Sequence, residues 1–345
     1  MKILERELGS IDFAAGQTRT LPLPRNYAYK SLQLRLDAVL YRAAGATGGA
    51  PKDSCPAQLV KNIMIRANGR DVIKNYDMES LHRMDQVRHG TRPHISFAGF
   101  SGYAEILEAA KVSLCVHAQI DHAMWRAIRP IDTLLDSAPL ATLELIITWG
   151  TGDDTMNDAY DPAAGGVTVY SATLYVASEE YVGVPAGTNF MTNKEYMIRS
   201  QVNAASTRHQ VQLPVSNMYR AFILKTHSDG VQVDTILNGV ILQSGTEVYK
   251  YRLAPSLQMD NRLECAVEVP ELDSSAAAVD HYYLEHLLEG YYLLEFCKDG
   301  HLTESLDTSK LSSLELILDV AHPGTDDFVD VFPAELIMPP IQVKT

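Results

Sequence analysis

Apolar and polar residues alternate in one short segment of the chain, and the same alternation recurs later. In residues 140–149 one face of the expected strand is wholly apolar: Leu143, Leu145, Ile147 and Trp149. In residues 311–320 that face carries Leu314, Leu316, Leu318 and Val320. Because successive side chains of a strand point to opposite sides, both segments predict strands whose apolar face lines the core of a β-sandwich. The opposite faces mix Glu144 and Glu315 with Ile146 and Ile317, so we expect a neighbouring sandwich or subunit to cover them partly.

Four segments of the first half match segments of the second half in the same order along the chain. Their first residues in the two copies are Leu21 and Leu213, Asn68 and Ser244, Leu135 and Leu306, and Val169 and Val331. The first match aligns Tyr27 with Tyr219. The second aligns Gly69 with Gly245, and each glycine lies between β-rich runs where a hairpin turn is expected. The separation between copies falls steadily along the chain, as it does when the first copy has longer loops. Four collinear matches predict an internal duplication.

Many short strands and few helices, repeated once, indicate an all-β fold of two β-sandwiches in tandem. Three segments favour helix because of their polar starts and apolar spacing: residues 77–87, 103–111 and 274–292. A segment with Pro and Gly near residues 177–189 is typical of a junction between domains. We therefore expect a first sandwich at residues 1–182 and a second at residues 183–345.

Composition and charge narrow the classes of function. The 345 residues carry a formal net charge of −14, and no Lys/Arg-rich arm offsets it, so we expect no direct binding of nucleic acid. The amino-terminal segment has no apolar run typical of a signal peptide, and no stretch is long and apolar enough to predict a membrane-spanning helix. The cysteines form no C-x-x-C pair, which predicts reduced, buried thiols in a protein made in the cytoplasm: Cys55, Cys115, Cys265 and Cys297.

Motifs for catalysis are missing from the sequence. A two-domain cupin needs an H-x-H pair on one strand, and the 11 histidines include none. Two pairs have a spacing that suits neither a strand face nor a helix face: His117 with His122, and His281 with His286. The segment GFSGY around Ser101 lacks the last glycine of a nucleophile elbow. We therefore predict no enzyme activity. Paired glycosidase carboxylates are defined in space, so a two-domain cupin-like or carbohydrate-active β-sandwich enzyme stays the alternative.

One polar cluster is a candidate metal site. The segment GTGDDTMNDAYD offers the oxygen ligands that calcium prefers: Asp153, Asp154, Asn157, Asp158 and Asp161. The second copy has a weaker counterpart in Asp326, Asp327 and Asp330. The spacing is not that of an EF-hand, and a solvated acidic loop is the competing interpretation. Apart from this calcium ion, no cofactor is predicted.

Four segments of strand, turn and helix carry a likeness to a known family: residues 1–36, 63–84, 237–253 and 305–320. They resemble the double-jelly-roll major capsid proteins, and within them the coat protein of corticovirus-type membrane-containing bacteriophages, in a lineage shared with tectiviruses and adenovirus. The resemblance implies two tandem eight-stranded jelly rolls with a few short helices in loops. It also implies a structural role without catalytic residues, namely a major capsid protein that forms pseudo-hexagonal trimeric capsomers of an icosahedral shell.

The resemblance further implies where such a protein acts and with what partners. Further copies in a homotrimer, neighbouring capsomers, and minor capsid or vertex proteins would be its contacts. A viral membrane would lie beneath the shell and separate it from the genome. The location would be the virion, after synthesis in the host cytoplasm.

Overall fold

The computed structural model describes residues 2–44, 55–90, 95–98, 110–151, 166–184, 191–265 and 289–338. Strands of the first half are β1 (Lys2–Asp12), β2 (Thr18–Pro22), β3 (Ala28–Arg42), β4 (Val60–Ala67), β5 (Asp71–Tyr76), β6 (Ile95–Ala98), β7 (Lys111–Asp121), β8 (Leu135–Asp136), β9 (Leu143–Trp149) and β10 (Val167–Val182). Strands of the second half are β11 (Thr192–Tyr196), β12 (Ile198–Val202), β13 (Ser206–Leu213), β14 (Met218–Ser228), β15 (Val231–Gln232), β16 (Leu237–Ser244), β17 (Glu247–Leu253), β18 (Tyr291–Glu295), β19 (Leu306–Asp307), β20 (Leu314–Val320) and β21 (Asp327–Ile337).

Helices are few and short in the described part of the chain. The α-helices are α1 (Met78–His89) and α2 (Ala254–Cys265), and single 3₁₀ turns lie at Ala57–Leu59, Pro130–Thr133 and Leu302–Glu304. None of the helices in the described ranges is long and apolar enough to cross a membrane. The prediction of an all-β fold is therefore confirmed.

The first half folds into a jelly roll of two facing sheets. One sheet has the order β1-β10-β3-β7-β6, and β8 pairs with the start of β3. The other has the order β2-β9-β4-β5. Apolar side chains from both sheets form one cluster of buried residues between them, which includes Leu34, Leu145 and Val176.

The second half repeats the arrangement of this jelly roll, although in the described part β6 has no counterpart and β15 is additional. Here β12, β21, β14 and β18 form one sheet, with β15 and β19 also on β14, and β13-β20-β16-β17 form the sheet that faces it. Its core is a second cluster of buried residues, which includes Leu224, Leu316 and Val331. The predicted division of the chain between residues 182 and 183 stays a proposal, because β11 beyond it pairs with strands of both halves.

The repeated segment that starts at Leu135 and at Leu306 has the same structure in both copies. Strands β9 and β20 have the same burial pattern, and Leu145 and Leu316 are both completely buried. Before each strand, an aspartate side chain accepts a backbone N–H two residues on: Asp136 from Ala138, and Asp307 from Ser309. The segment occurs in both halves of the chain because each jelly roll contains this turn and this core strand.

Two of the four sequence matches align the wrong residues. Tyr29, and not Tyr27, corresponds to Tyr219: each hydroxyl donates to a proline carbonyl five residues earlier, and each residue lies opposite the leucine of its LD segment. The shift is two residues, which keeps each side chain on its face of the sheet. In the last strand, Val331 corresponds to Val176 and not to Val169, because each lies opposite an equivalent leucine. Runs of alternating apolar residues resemble each other in several registers, so short matches in strands are ambiguous.

The hairpin and helix that follow β4 agree with the sequence. Asn68 and Gly69 both have positive φ, as a tight hairpin turn requires, and Gly245 does so in the second copy. The side chain of Asp77 accepts the backbone N–H of Ser80 and begins α1, and Gly90 ends it with φ of 65°.

Helix prediction was less successful elsewhere in the chain. Helix α2 was not predicted, although the matched residues 244–257 imply it after the second hairpin. Most of the candidate helices 103–111 and 274–292 lies outside the described residues. Where those candidates enter the described part they are wrong, because Lys111 begins β7 and Tyr291 begins β18.

Candidate functional site at the junction of the two jelly rolls

Strand β11 joins the two jelly rolls through backbone hydrogen bonds. On one side it pairs antiparallel with β21, from Thr192 opposite Ile337 to Glu195 opposite Ala334. On the other side it pairs parallel with β5, with Glu195 opposite Lys74. A sheet of the first jelly roll and a sheet of the second thereby become one sheet of eleven described strands. Since both edges of β11 are paired, this segment acts as a structural joint and not as a loose linker.

The Glu195 side chain gathers a buried charged cluster from the first jelly roll. Its Oε2 atom lies 3.3 Å from Lys74 Nζ and 3.0 Å from Arg88 Nη2, and it also accepts the hydroxyl of Tyr76. Burial alone would raise the pKa of the Glu195 carboxyl, but the charges of Arg88 and Lys74 outweigh burial and hold the pKa below its ordinary value. Burial lowers the pKa of Lys74 to about 8. The cluster is therefore mostly ionised at neutral pH.

A cation–π contact crosses the junction at Trp125. Arg220 of β14 lies over the indole ring of Trp125, 3.1 Å from its centroid, and Arg88 lies 5.4 Å from the same ring. The Nη2 atom of Arg220 is 3.0 Å from Glu295 Oε1. Burial lowers the pKa of Arg220 to about 10, so the guanidinium stays charged at neutral pH. An indole of the first jelly roll thus packs between cations that each half supplies.

The helix α1 contributes a third polar contact to the junction. Lys225 of β14 donates to Glu79 Oε2 at 2.8 Å and to the hydroxyl of Ser80 at 3.2 Å. Gln232 donates to the other oxygen of Glu79 at 2.8 Å. Burial opposes ionisation of Glu79, but Lys225 outweighs it and holds the pKa of this carboxyl below its usual value. The first turn of α1 is therefore tied to the second jelly roll.

Apolar contacts complete the junction on the outer face of the second jelly roll. Six side chains of β14, β18 and β21 belong to the core cluster of the first jelly roll: Ala221, Ile223, Tyr291, Leu293, Phe332 and Ala334. The rings of Phe332 and Tyr76 stack with centroids 6.4 Å apart. The sequence expectation placed inter-sandwich burial at Ile146 and Ile317. Both are buried, but neither is a member of the core cluster that spans the junction. The apolar outer face of β14 and β21 performs that role instead.

The predicted calcium ligands lie outside the described residues: Asp153, Asp154, Asn157, Asp158 and Asp161. Their second-copy counterparts contact protein groups. Asp330 forms a bidentate pair with Arg199 at 2.8 Å, and Asp327 Oδ2 lies 2.7 Å from His322 Nδ1. Asp326 accepts from Gln201. These three aspartates are engaged in separate contacts, so they are not a calcium site of the kind expected for the first copy.

Histidines and cysteines show no reactive arrangement within the ranges that the structure describes. No group of three His, Cys, Asp or Glu residues there could hold a metal ion. Burial, followed by the charge of Lys74, lowers the pKa of His122 to about 3, so this imidazole is neutral. Cys55, Cys115 and Cys297 form no disulfide, as predicted. Cys55 and Cys297 are also buried as predicted, whereas Cys115 is only half-buried. His281, His286 and Ser101 lie outside the described residues.

Sequence reasoning missed the junction residues, and one signal was present. The match that aligns Gly69 with Gly245 also aligns Lys74 with Lys250, and Lys74 shares its strand face with Val72 and Tyr76, where a lysine is unusual. Nothing local marks Glu195, Arg88 or Arg220 as partners, because they come together only when the two jelly rolls pack.

The fold is similar to those of viral major capsid proteins. The crystal structure of the major capsid protein of Sulfolobus turreted icosahedral virus matches with a TM-score of 0.72 at 16% identity, over 98% of each chain. The major capsid protein P2 of bacteriophage PM2 matches with a TM-score of 0.59 at 13% identity, over 98% of each chain. A quasi-atomic model of the PBCV-1 virus capsid matches with a TM-score of 0.60 at 8% identity, over 97% of this chain and 94% of that chain.

These matches confirm the predicted double-jelly-roll architecture over nearly the whole chain. The bacteriophage protein has a lower TM-score than the Sulfolobus virus protein, so the likeness does not single out the bacteriophage branch of the resemblance. No family model matches the chain, and no curated protein matches it.

Proposed function

We propose that this chain is a viral major capsid protein that assembles into trimeric, pseudo-hexagonal capsomers of an icosahedral shell. One observation carries the proposal: the chain is covered end to end by a double jelly roll that it shares with viral major capsid proteins, 98% of it in the match with the Sulfolobus virus protein. No observation on the described residues favours the cupin-like or carbohydrate-active alternative.

The junction explains how such a chain suits a shell. Two similar sandwiches held side by side by β11 and the Glu195 cluster present two nearly equivalent flanks. A closed ring of three chains then places six jelly rolls around one axis, a hexagonal outline with true threefold symmetry. Hexagonal units tile a shell face, which is the function that the fold supports best.

The proposal extends to partners and place. Neighbouring capsomers and minor capsid or vertex proteins would contact the outer sides of the trimer in the virion, and a viral membrane would lie beneath it. The net charge of −14 supports a shell that does not bind the genome directly. A calcium ion at the loop of Asp153 to Asp161 stays part of the proposal as an optional ligand.

Light scattering and electron microscopy of the purified chain test the proposal. We expect a species of three times the 38.1 kDa chain mass, with a hexagonal outline in negative stain. A monodisperse species of 38.1 kDa at all concentrations, stable on storage, would contradict the capsid function.

A further inference from the structure

Two equivalent strands of the jelly rolls have different surroundings at their outer edges. Strand β5 of the first copy has β11 beside it, so its outer edge is paired. Strand β17 is its counterpart, since Lys250 lies opposite Leu242 as Lys74 lies opposite Ile65. In the described part of the chain β17 is the last strand of its four-stranded sheet. An outer edge that is covered within the first jelly roll is thus open in the second.

Strand β11 also has a counterpart, which is the beginning of β1. Leu4 lies opposite Glu180, and Lys194 lies opposite Glu335, in the same position of the last strand of each jelly roll. Arg6 donates to the buried carboxylate of Glu180 at 2.7 Å, as Tyr196 donates to that of Glu335 at 2.5 Å. Residues 2–6 therefore stand in the first copy where residues 192–196 stand in the second, and β1 is an edge strand of its sheet.

Side-chain exposure follows the same contrast. Asn193 and Glu195 are each 1% exposed, whereas their counterparts Ile3 and Glu5 are exposed, Ile3 by 50%. On the other strand Lys74 is fully buried, whereas its counterpart Lys250 is half-buried. Tyr251, beside it on β17, is 62% exposed.

The helices that follow these strands show the difference again. Glu79 and Ser80 of α1 are buried under the second jelly roll. Their counterparts Pro255 and Ser256 in α2 are exposed, and Met259 on the next turn is 65% exposed. The second jelly roll covers this surface of α1, whereas the equivalent surface of α2 is exposed.

A cleft opens in the second jelly roll at this same place. It has a volume of about 410 Å³ and lies between β17, α2 and β18, with Lys250, Arg252, Asp260 and Lys298 among its lining residues. Lys250 and Arg252 are the counterparts of Lys74 and Tyr76 in the first jelly roll. There, the carboxylate of Glu195 on β11 contacts both Lys74 and Tyr76. The lining has three cations, Lys250, Arg252 and Lys298, and two carboxylates, Asp260 and Glu295, so its net charge is positive. It therefore suits one more carboxylate, and Glu5 of β1 is the counterpart of Glu195.

We propose that in the capsomer Lys2–Arg6 of one subunit pairs in parallel with β17 of the next, with Glu5 opposite Lys250 and Arg6 opposite Tyr251. The inference rests on the proposed trimer and names its contact. Ile3 and Met259 then become buried, and the carboxylate of Glu5 enters the cleft. Each junction between subunits repeats the junction within a subunit, so a ring of three chains closes with six similar joints.

A disulfide between two subunits that carry different cysteine substitutions tests whether Glu5 lies opposite Lys250. Chains with Glu5→Cys and chains with Lys250→Cys are co-expressed, oxidised and separated on a non-reducing gel. We expect a covalent dimer that neither single variant forms alone, because paired strands bring Cα atoms within disulfide range. The matched control replaces Lys250→Cys by Glu247→Cys, about 10 Å further along β17, and should not cross-link.

A second pair of variants covers the case in which the cysteine variants fail to fold. Tyr251 of β17 and Tyr170 of β10 are each 62% exposed. Tyr251→Arg should raise the concentration at which the trimer dissociates by about tenfold or more, and Tyr170→Arg by less than about twofold. A trimer without the specific cross-link, or with equal effects of the two arginines, overturns the inferred contact and leaves the capsid function standing. A chain that stays monomeric overturns the capsid function itself.

Discussion

The two jelly rolls share a frame and differ on one outer face. On the first, Gln33 and Arg35 of β3 are exposed to solvent. On the second, their counterparts Ile223 and Lys225 of β14 are buried against the first jelly roll. Inside the sandwiches, by contrast, Leu145 and Leu316 occupy the same place with the same burial. The contrast shows that the duplicated core was retained while the outer faces took on different partners.

Removing the central carboxylate of the junction should have the largest effect. Glu195→Ala leaves Lys74 and Arg88 buried without their anion, which costs about 3–5 kcal/mol of unfolding free energy. Glu7→Ala, at an exposed position of β1, should cost about 0.5 kcal/mol or less. Urea denaturation of both variants measures the difference. Equal losses would mean that the junction is not a stabilising contact between the jelly rolls.

The equivalence of the two cores predicts similar losses in either copy. Leu145→Ala and Leu316→Ala each remove a fully buried side chain and should cost about 2–5 kcal/mol. Glu144→Ala and Glu315→Ala, on the opposite faces, should cost about 0.5 kcal/mol or less. Thermal and chemical denaturation decide this. An unchanged melting temperature in both leucine variants would contradict the strand register.

Helices α1 and α2 differ at one buried position, and this difference should make the stability of the protein depend on pH. Asp85 of α1 accepts the backbone N–H of Gln119, and Asn261 of α2 makes the same contact with Leu293. Burial raises the pKa of Asp85 from its ordinary value of 3.8 to about 8. The folded state therefore holds a proton that the unfolded chain releases above pH ~4, and its contribution to stability is lost as pH rises towards 8.

Asp85→Asn copies the second jelly roll and should remove this dependence. We expect the free energy of unfolding to rise by about 1–3 kcal/mol at pH 8 and to change little at pH 4, because the amide needs no proton. Denaturation curves at both pH values measure the effect. If the variant and the original protein lose stability in parallel between these pH values, Asp85 does not carry the proton.

Calcium should have the smallest effect and should act on one copy. If Asp153, Asp154, Asn157, Asp158 and Asp161 bind the ion, calcium at about ten times its Kd adds roughly 1.4 kcal/mol to stability. The pair of substitutions Asp154→Asn and Asp158→Asn should abolish the rise in melting temperature. The same pair at Asp326 and Asp330 should leave it intact. If millimolar calcium leaves the melting temperature of the unmodified protein unchanged, the solvated-loop interpretation of residues 153–161 holds.

The local features of the fold were readable from the sequence. Alternation with period two identified the faces of β9 and β20, and Asp77 marked the start of α1. Gly69 and Gly245 marked the hairpins because these turns need positive φ. Each of these signals depends on residues within a few positions of one another. Such patterns survive in any tertiary setting that buries the apolar face.

Register and the junction were decided by the tertiary structure alone. Tyr29 and not Tyr27 matches Tyr219, and a period of two residues cannot distinguish them because both choices keep the same face inward. Glu195 meets Lys74 and Arg88 only after two complete sandwiches pack together. A charged residue in a sequence gives no sign of its partner when more than a hundred residues separate them, since burial and pairing are properties of the packed chain and not of the local pattern.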